Sequence, residues 1–183
     1  MQTIKPLDRD ALSTFLRVAL ERLDGHWVLI GGAVLPLLGI EHRTTVDIDI
    51  VGPKSATQEQ TLVLMEIAEE LGFPVETINQ AGAYFLRKQE GYESLLLPLA
   101  RSRRATISRP NATLYVLLKL SRLTETDLED CRQILDYARD HGEDVDHPRL
   151  EESIQAARQQ GVSPRKEARL DALLQAISVD FSG

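Results

Sequence analysis

Apolar and polar residues recur along the chain with two different periods, and the change of period divides it. In residues 8–24, "DRDALSTFLRVALERLD", Leu12, Phe15, Leu16, Leu20 and Leu23 repeat at helical spacing, which predicts a helix with Gly25 as its stop. "HWVLI" (26–30) is a short apolar run that fits a buried strand. Gly31-Gly32 breaks it, and "AVLPLLG" opens a helix whose first turn tolerates Pro36, because N–H groups there have no partner within the helix. "TVDIDIV" (45–51) alternates with period two and reads as a strand. Val46, Ile48 and Ile50 then face the core, and Asp47 and Asp49 share the other side. Ser55 can cap a helix carrying Leu62, Met65, Ala68 and Leu71 and ending at Gly72. From 73 to 107, "FPVETI", "AYFLR", "ESLLLPL" and "RATI" read as short strands. Past Pro110 the helical period takes over. Asn111 caps "ATLYVLLKLSRL", and 126–141, 147–160 and 163–180 follow as helices, the last with Ser163 as cap and Pro164 in its first turn. The expected class is α/β (α+β): a mixed sheet flanked by helices over residues 1–110, and a helical C-terminal region over 111–183 packed on it.

Composition narrows this picture in a few places. Cys131 is the only cysteine, so no intrachain disulfide or cysteine-rich zinc site can form. The formal net charge of -7 argues against a protein that coats nucleic acid indiscriminately, though it leaves room for a local basic patch. No apolar run approaches the ~20 residues that span a bilayer. The start, "MQTIKPLDRDALS", lacks the basic-then-apolar layout of a signal peptide. A cytoplasmic protein with no membrane partner is expected.

The two aspartates in an otherwise apolar strand need an explanation. A buried carboxylate without a partner costs several kcal/mol, roughly, and two on one face repel. Both can converge on one hard divalent cation such as Mg²⁺ or Mn²⁺, which takes oxygen ligands. A pair of such cations would activate an attacking oxygen and stabilise a leaving phosphate. The strand–Gly31-Gly32–helix turn supplies the complement: backbone without side chains, next to a helix N-terminus, where a phosphate can approach. Together these features suit a nucleoside triphosphate with its metal.

The stretch "GGAVLPLLGIEHRTTVDIDI" resembles the signature of the polymerase-β-type nucleotidyltransferase superfamily: Gly-Gly, a short helix, then Asp-x-Asp on a strand. Arg43-x-Thr45-x-Asp47-Ile48-Asp49 is most similar to the AbiEii-like and MenA-like toxins and related nucleotidyltransferase-like proteins. A second block, "KLSRLTETDLEDC" (119–131), is similar to their later motif, with Lys119, Arg122, Asp127 and Asp130 at matching positions. The resemblance runs over about residues 27–135. It implies a nucleotidyltransferase-like mixed sheet and transfer of a nucleoside monophosphate from an NTP to an acceptor. Asp47 and Asp49 hold the metal, and Gly31, Gly32, Arg43, Thr45, Lys119 and Arg122 bind the nucleotide. Asp127 belongs to the catalytic set. It also implies a toxin of a bacterial toxin–antitoxin pair, with the tRNA 3' end or a partner protein as acceptor and a cognate antitoxin as partner. The superfamily adds a third carboxylate from a later strand, but no Asp occurs between Asp49 and Asp127. Glu93 is the candidate, ahead of Glu90 and Glu76.

Each residue also has a plainer role to weigh. Asp47 and Asp49 could face solvent on an edge strand, and Arg43 could simply pair with one of them. Lys119 could snorkel to the surface, or contact the triphosphate, in which case Lys119→Ala removes transfer with little loss of stability. Asp127 and Asp130 could form a solvated helix start favoured by the dipole. Arg101, Arg103, Arg104 and Arg109 are the densest positive stretch, either a charge-protected edge or an RNA contact. A non-catalytic module that binds a nucleotide or a partner on a degenerate form of the same fold is the rival to the enzyme.

Overall fold

The computed structural model describes residues 7–179; residues 1–6 and position 180, the end of the expected 163–180 helix, lie outside them. Two compact units form, Met1–Lys88 with Leu96–Pro110 and Gln89–Leu95 with Asn111–Gly183.

The first unit is built on a five-stranded sheet. Its strands are β1 (Gly25–Ile30), β2 (Ile48–Val51), β3 (Ile78–Asn79), β4 (Leu96–Arg101) and β5 (Ala105–Pro110), in the spatial order β3-β2-β1-β5-β4. β1 runs antiparallel to β2 and parallel to β5, β3 is parallel to β2, and β4–β5 is an antiparallel hairpin with an irregularity between Pro98 and Ala100. The mixed sheet expected from the sequence is therefore present. Trp27, Leu29, Ile48, Ile50 and Ile107 are fully buried along its strands.

Helix α1 (Arg9–Arg22) starts where the Asp8 side chain accepts the Ala11 N–H at 2.8 Å, and it buries Leu12, Phe15, Leu16, Ala19 and Leu20. It ends before Gly25, because Leu23 already has extended backbone; Gly25, at φ +86°, opens β1 instead. After β1 come a 3-10 turn at Gly31–Ala33 and α2, only four residues long (Val34–Leu37). Helix α3 (Gln58–Glu70) is capped by Thr57 rather than Ser55, since Thr57 and Gln60 exchange a reciprocal capping box. Its buried face is Leu64, Ile67 and Ala68, and Leu62, expected inside, is 56% exposed.

Three expected strands are corrected. Of "TVDIDIV" only Ile48–Val51 joins the sheet. The Thr45 carbonyl is taken by the Leu7 N–H at 2.9 Å and the Asp47 carbonyl by the Thr45 hydroxyl at 3.4 Å, so residues 45–47 bond outside the ladder and Val46 is exposed. "FPVETI" is a 3-10 turn (Val75–Thr77) leading into the two-residue β3. "AYFLR" lies in helix α4 (Ala83–Lys88), which buries Leu86 and leaves Tyr84 and Phe85 exposed, edge to face, with the Lys88 ammonium 4.3 Å from the Tyr84 ring centre.

The second unit holds α5 (Ala112–Leu120), α6 (Glu125–His141), α7 (His147–Gln159) and α8 (Pro164–Ser178), with a 3-10 turn at Tyr92–Leu95. Asn111 and Ser163 cap α5 and α8 as expected. Gly142 closes α6 in the left-handed conformation. Apolar stripes of Leu128, Ile134, Leu135 and Ala138 on α6, Leu150 and Ile154 on α7, and Leu170, Leu173 and Ile177 on α8 are buried. Among the described residues no helix is long and apolar enough to cross a membrane.

Candidate functional site

In the first unit, the Gly31-Gly32 turn, Asp49 and Arg43 come together. Gly31 has φ +70°, a left-handed backbone that a side chain strains. A Cβ on Gly31 would lie 2.3 Å from Asp49 Oδ2, and one on Gly32 would lie 2.5 Å from Arg43 Nη2. Missing side chains thus allow a carboxylate and a guanidinium to close on the same two peptide units. The expected helix dipole contributes little, because α2 has four residues. An approaching anion would meet turn backbone and Arg43 instead.

The strand ladder sets Asp49. It stands opposite Ile30 on β1 and Asn79 on β3. Asn79 Nδ2 donates to Asp49 Oδ1 at 2.8 Å, while Asn79 Oδ1 accepts the Ala81 N–H at 2.9 Å. Asp49 is half-buried and Asp47, which precedes β2, is exposed. The two aspartates therefore do not both sit on a strand as expected. Arg43 is half-buried, with Nη1 3.2 Å from the Thr44 carbonyl it donates to, and Thr45 is buried. Asn79 escaped the sequence reading; its only signal is one polar residue ending the short apolar step "TIN" before Gly82.

In the second unit, the later motif folds into a buried ionic cluster. Lys119 Nζ donates to Asp127 Oδ1 at 2.9 Å and to Asp130 Oδ2 at 3.2 Å. Arg122 adds Nε to Asp127 Oδ2 and Nη2 to Oδ1, both at 2.8 Å. The Thr124 N–H and hydroxyl complete the shell of Asp127 Oδ2 at 3.0 and 2.8 Å. Asp127 and Asp130 are 1% and 0% exposed and Lys119 9%. Burial pushes the Asp127 carboxyl up, but hydrogen bonds from Arg122, Lys119 and Thr124, with the Lys119 charge, outweigh it and hold it well below the usual carboxylate range. Burial pushes the pKa of the buried Cys131 thiol up, with the Asp127 and Asp130 charges and against that of Lys119. Two of the plainer roles fall here. Lys119 does not snorkel, and Asp127 and Asp130 are not a solvated helix start.

The remaining candidates separate. Arg101 and Arg103 are exposed by the β4–β5 turn. Arg104 is exposed but forms a two-point pair with Asp24 at 2.6 and 2.5 Å, and this hydrogen bond holds the Asp24 carboxyl below its usual range. Arg109 is buried, its Nη1 donating to the Pro110 carbonyl at 2.9 Å, so it does not extend the surface patch. Glu93 is exposed in the 3-10 turn of the second unit, not at the start of β4, which begins at Leu96. Glu76 and Glu90 are exposed as well.

Among the described residues, no group of three or more His, Cys, Asp or Glu side chains could hold a metal ion. Mg²⁺ takes oxygen ligands and draws most of them from water and substrate phosphates, and the Asp49 and Asp47 carboxylates are donors of that chemical type. They do not make a two-metal cluster by themselves.

A family model described as "Nucleotidyltransferase of unknown function (DUF6036)" matches residues 4–178. No curated protein and no solved structure matches the chain.

Proposed function

The chain belongs to this nucleotidyltransferase family, and from that premise we propose that it is a Mg²⁺-dependent enzyme transferring a nucleoside monophosphate from an NTP to an acceptor. The observation that carries the reading is the Gly31-Gly32 turn with the Asp49 carboxylate and the Arg43 guanidinium against it. Gly31 and Gly32 let phosphate oxygens reach backbone N–H groups, and Arg43 offers a fork of donors to them. Thr45 anchors the segment that carries Asp47. Asp47 and Asp49 would hold Mg²⁺ or Mn²⁺, which when bound neutralises phosphate charge and favours attack by the acceptor oxygen. That oxygen bonds to the α-phosphorus, the bond from this phosphorus to the α,β-bridging oxygen breaks, its electron pair leaves with pyrophosphate, and the proton of the acceptor hydroxyl passes to solvent.

Lys119, Arg122 and Asp127 enter this reading as a structural lock of the second unit, since their charges are committed to one another. Glu93 is retained as the carboxylate to test as a third acid or base. The narrower biological reading is a toxin like the AbiEii-like and MenA-like proteins, modifying the tRNA 3' end or a partner protein and silenced by an antitoxin. It rests on Arg43-x-Thr45-x-Asp47-Ile48-Asp49 and on the 119–131 block.

The test is incubation with each labelled NTP, Mg²⁺ and total RNA, followed by a search for label on RNA and on protein. Label on RNA supports the tRNA reading, and label on protein supports a protein acceptor. A second reading, a nucleotide- or partner-binding module without catalysis, is favoured by the lack of a three-acid cluster among the described residues. NTP binding with no label transferred to any acceptor would establish it over the enzyme.

A further inference from the structure

Asp49 is flanked in the sheet by an amide. β3 contributes two residues, and the second, Asn79, lies in register with Asp49. The amide is fixed at both ends. The Ala81 N–H binds its oxygen at 2.9 Å, so its NH₂ group is the end that faces Asp49, at 2.8 Å from Oδ1. The Asn79–Ala81 turn leads directly to Gly82, where a Cβ would sit 2.2 Å from Ile30 Cδ1. Ile30 immediately precedes Gly31. The segment after β3 is therefore pressed against the strand end that carries the Gly31-Gly32 turn, with Asp49 held between them.

We propose that Asn79 is a positioning residue for Asp49. Its amide binds one carboxylate oxygen and so sets the plane in which the other, Oδ2, meets the Gly31 turn. A carboxylate at this place would add a third negative charge within hydrogen-bond distance of Asp49, which two like charges resist without a cation. A neutral amide keeps the site at the two acids Asp47 and Asp49. That charge suits one divalent cation brought in with the phosphates of a nucleotide, rather than a cation held by the protein alone. This rests on the nucleotidyltransferase reading above, and it specifies how the cation arrives.

Two substitutions separate positioning from simple packing, because they move cation binding in opposite directions. The probe is Mn²⁺, followed by electron paramagnetic resonance, alone and with each of the four NTPs, with thermal melts of the same samples. Asn79→Ala removes one partner of the Asp49 carboxylate and should weaken Mn²⁺–NTP binding about tenfold or more, the ordinary effect of losing a partner that orients a ligand. Asn79→Asp adds an acid and should bind Mn²⁺ more tightly than wild type without nucleotide. Its melting temperature should fall in metal-free buffer and recover when Mn²⁺ is added. If Asn79 only packs the edge of the sheet, both variants weaken Mn²⁺ binding alike or leave it unchanged, and the proposal is overturned. If wild type holds no Mn²⁺ with any NTP, the nucleotidyltransferase reading fails and takes this proposal with it. Mn²⁺ binding by wild type with no separation of the variants overturns the Asn79 role alone.

Discussion

Removing the Lys119 ammonium leaves Asp127 and Asp130 buried at 1% and 0% exposure with one cation fewer between them. Arg122 and Thr124 still serve Asp127, whereas the Asp130 oxygen bonded to Lys119 loses that partner. Breaking a buried pair from one side costs about 3–5 kcal/mol, a large share of the roughly 5–15 kcal/mol that holds a domain folded. For a chain of this size each kcal/mol moves the melting temperature by about 2–4 °C. Lys119→Met should therefore melt about 6–20 °C below wild type, followed by circular dichroism. The sign of the pH dependence follows from Asp127. Its folded pKa lies below the unfolded value of 3.8, so its contribution is present above that value and is lost as pH falls toward the folded pKa. Lys119→Met gives up part of this contribution. Its deficit should be widest near neutral pH and should narrow below about pH 4, where the wild type itself loses the Asp127 contribution. The double variant Lys119→Met/Asp130→Leu should regain much of the loss, because an apolar pair of similar volume replaces the broken ion pair. A deficit under about 1 kcal/mol at pH 7, or one that does not narrow as pH falls below about 4, would refute a buried structural lock. The same cluster sets this expected cost against the modest stability loss expected of Lys119→Ala from the sequence, so any activity lost in that variant has to be measured on protein shown to be folded.

Asp49→Asn should abolish most metal-dependent NTP binding by calorimetry while keeping the fold, and equal affinities for wild type and variant would remove Asp49 from the site. Gly32→Val should raise the NTP dissociation constant, since a branched side chain would displace the Arg43 guanidinium from the turn; unchanged affinity would return Gly-Gly to a simple turn. Thr124→Ala deletes the hydroxyl that both caps α6 and binds Asp127, and should cost about 1–2 kcal/mol in urea unfolding. A loss under a few tenths would show that Arg122 and Lys119 alone satisfy Asp127.

What could be read from the sequence was what nearest neighbours decide. Asn111 and Ser163 were found because a cap bonds an N–H three residues on, and the helical stripes of α6 and α8 because their apolar spacing is local. Gly31, Gly32 and Asp49 stand out in the sequence because glycine pairs and acids in apolar runs do so in any context, and the structure brings Gly31 and Asp49 together. The errors lie where a distant partner decides. Residues 45–47 look like strand, but the Leu7 N–H takes the Thr45 carbonyl. "AYFLR" has strand-forming aromatics, yet it is helical, with Leu86 buried and Tyr84 and Phe85 exposed. Asn79 shows its meaning only through the register of β3 on β2. The burial of Lys119 is not legible from its own neighbours, because it depends on where two later aspartates fold back.

The strand order also sets a timetable. β1 is flanked by β2, which follows closely, and by β5, which is made much later; Asp24 and Arg104, 80 residues apart, meet beside that late joint. A ribosome adding about 5–20 residues per second needs roughly 4–16 s to cover such an interval. Through those seconds β1, with Trp27 and Leu29 on it, has one open edge and an unfilled face. Open apolar edges pair with whatever strand is at hand. The β1 edge that β5 covers would thus stay open until β5 is made, and slower translation of residues 52–104 would lengthen that exposure.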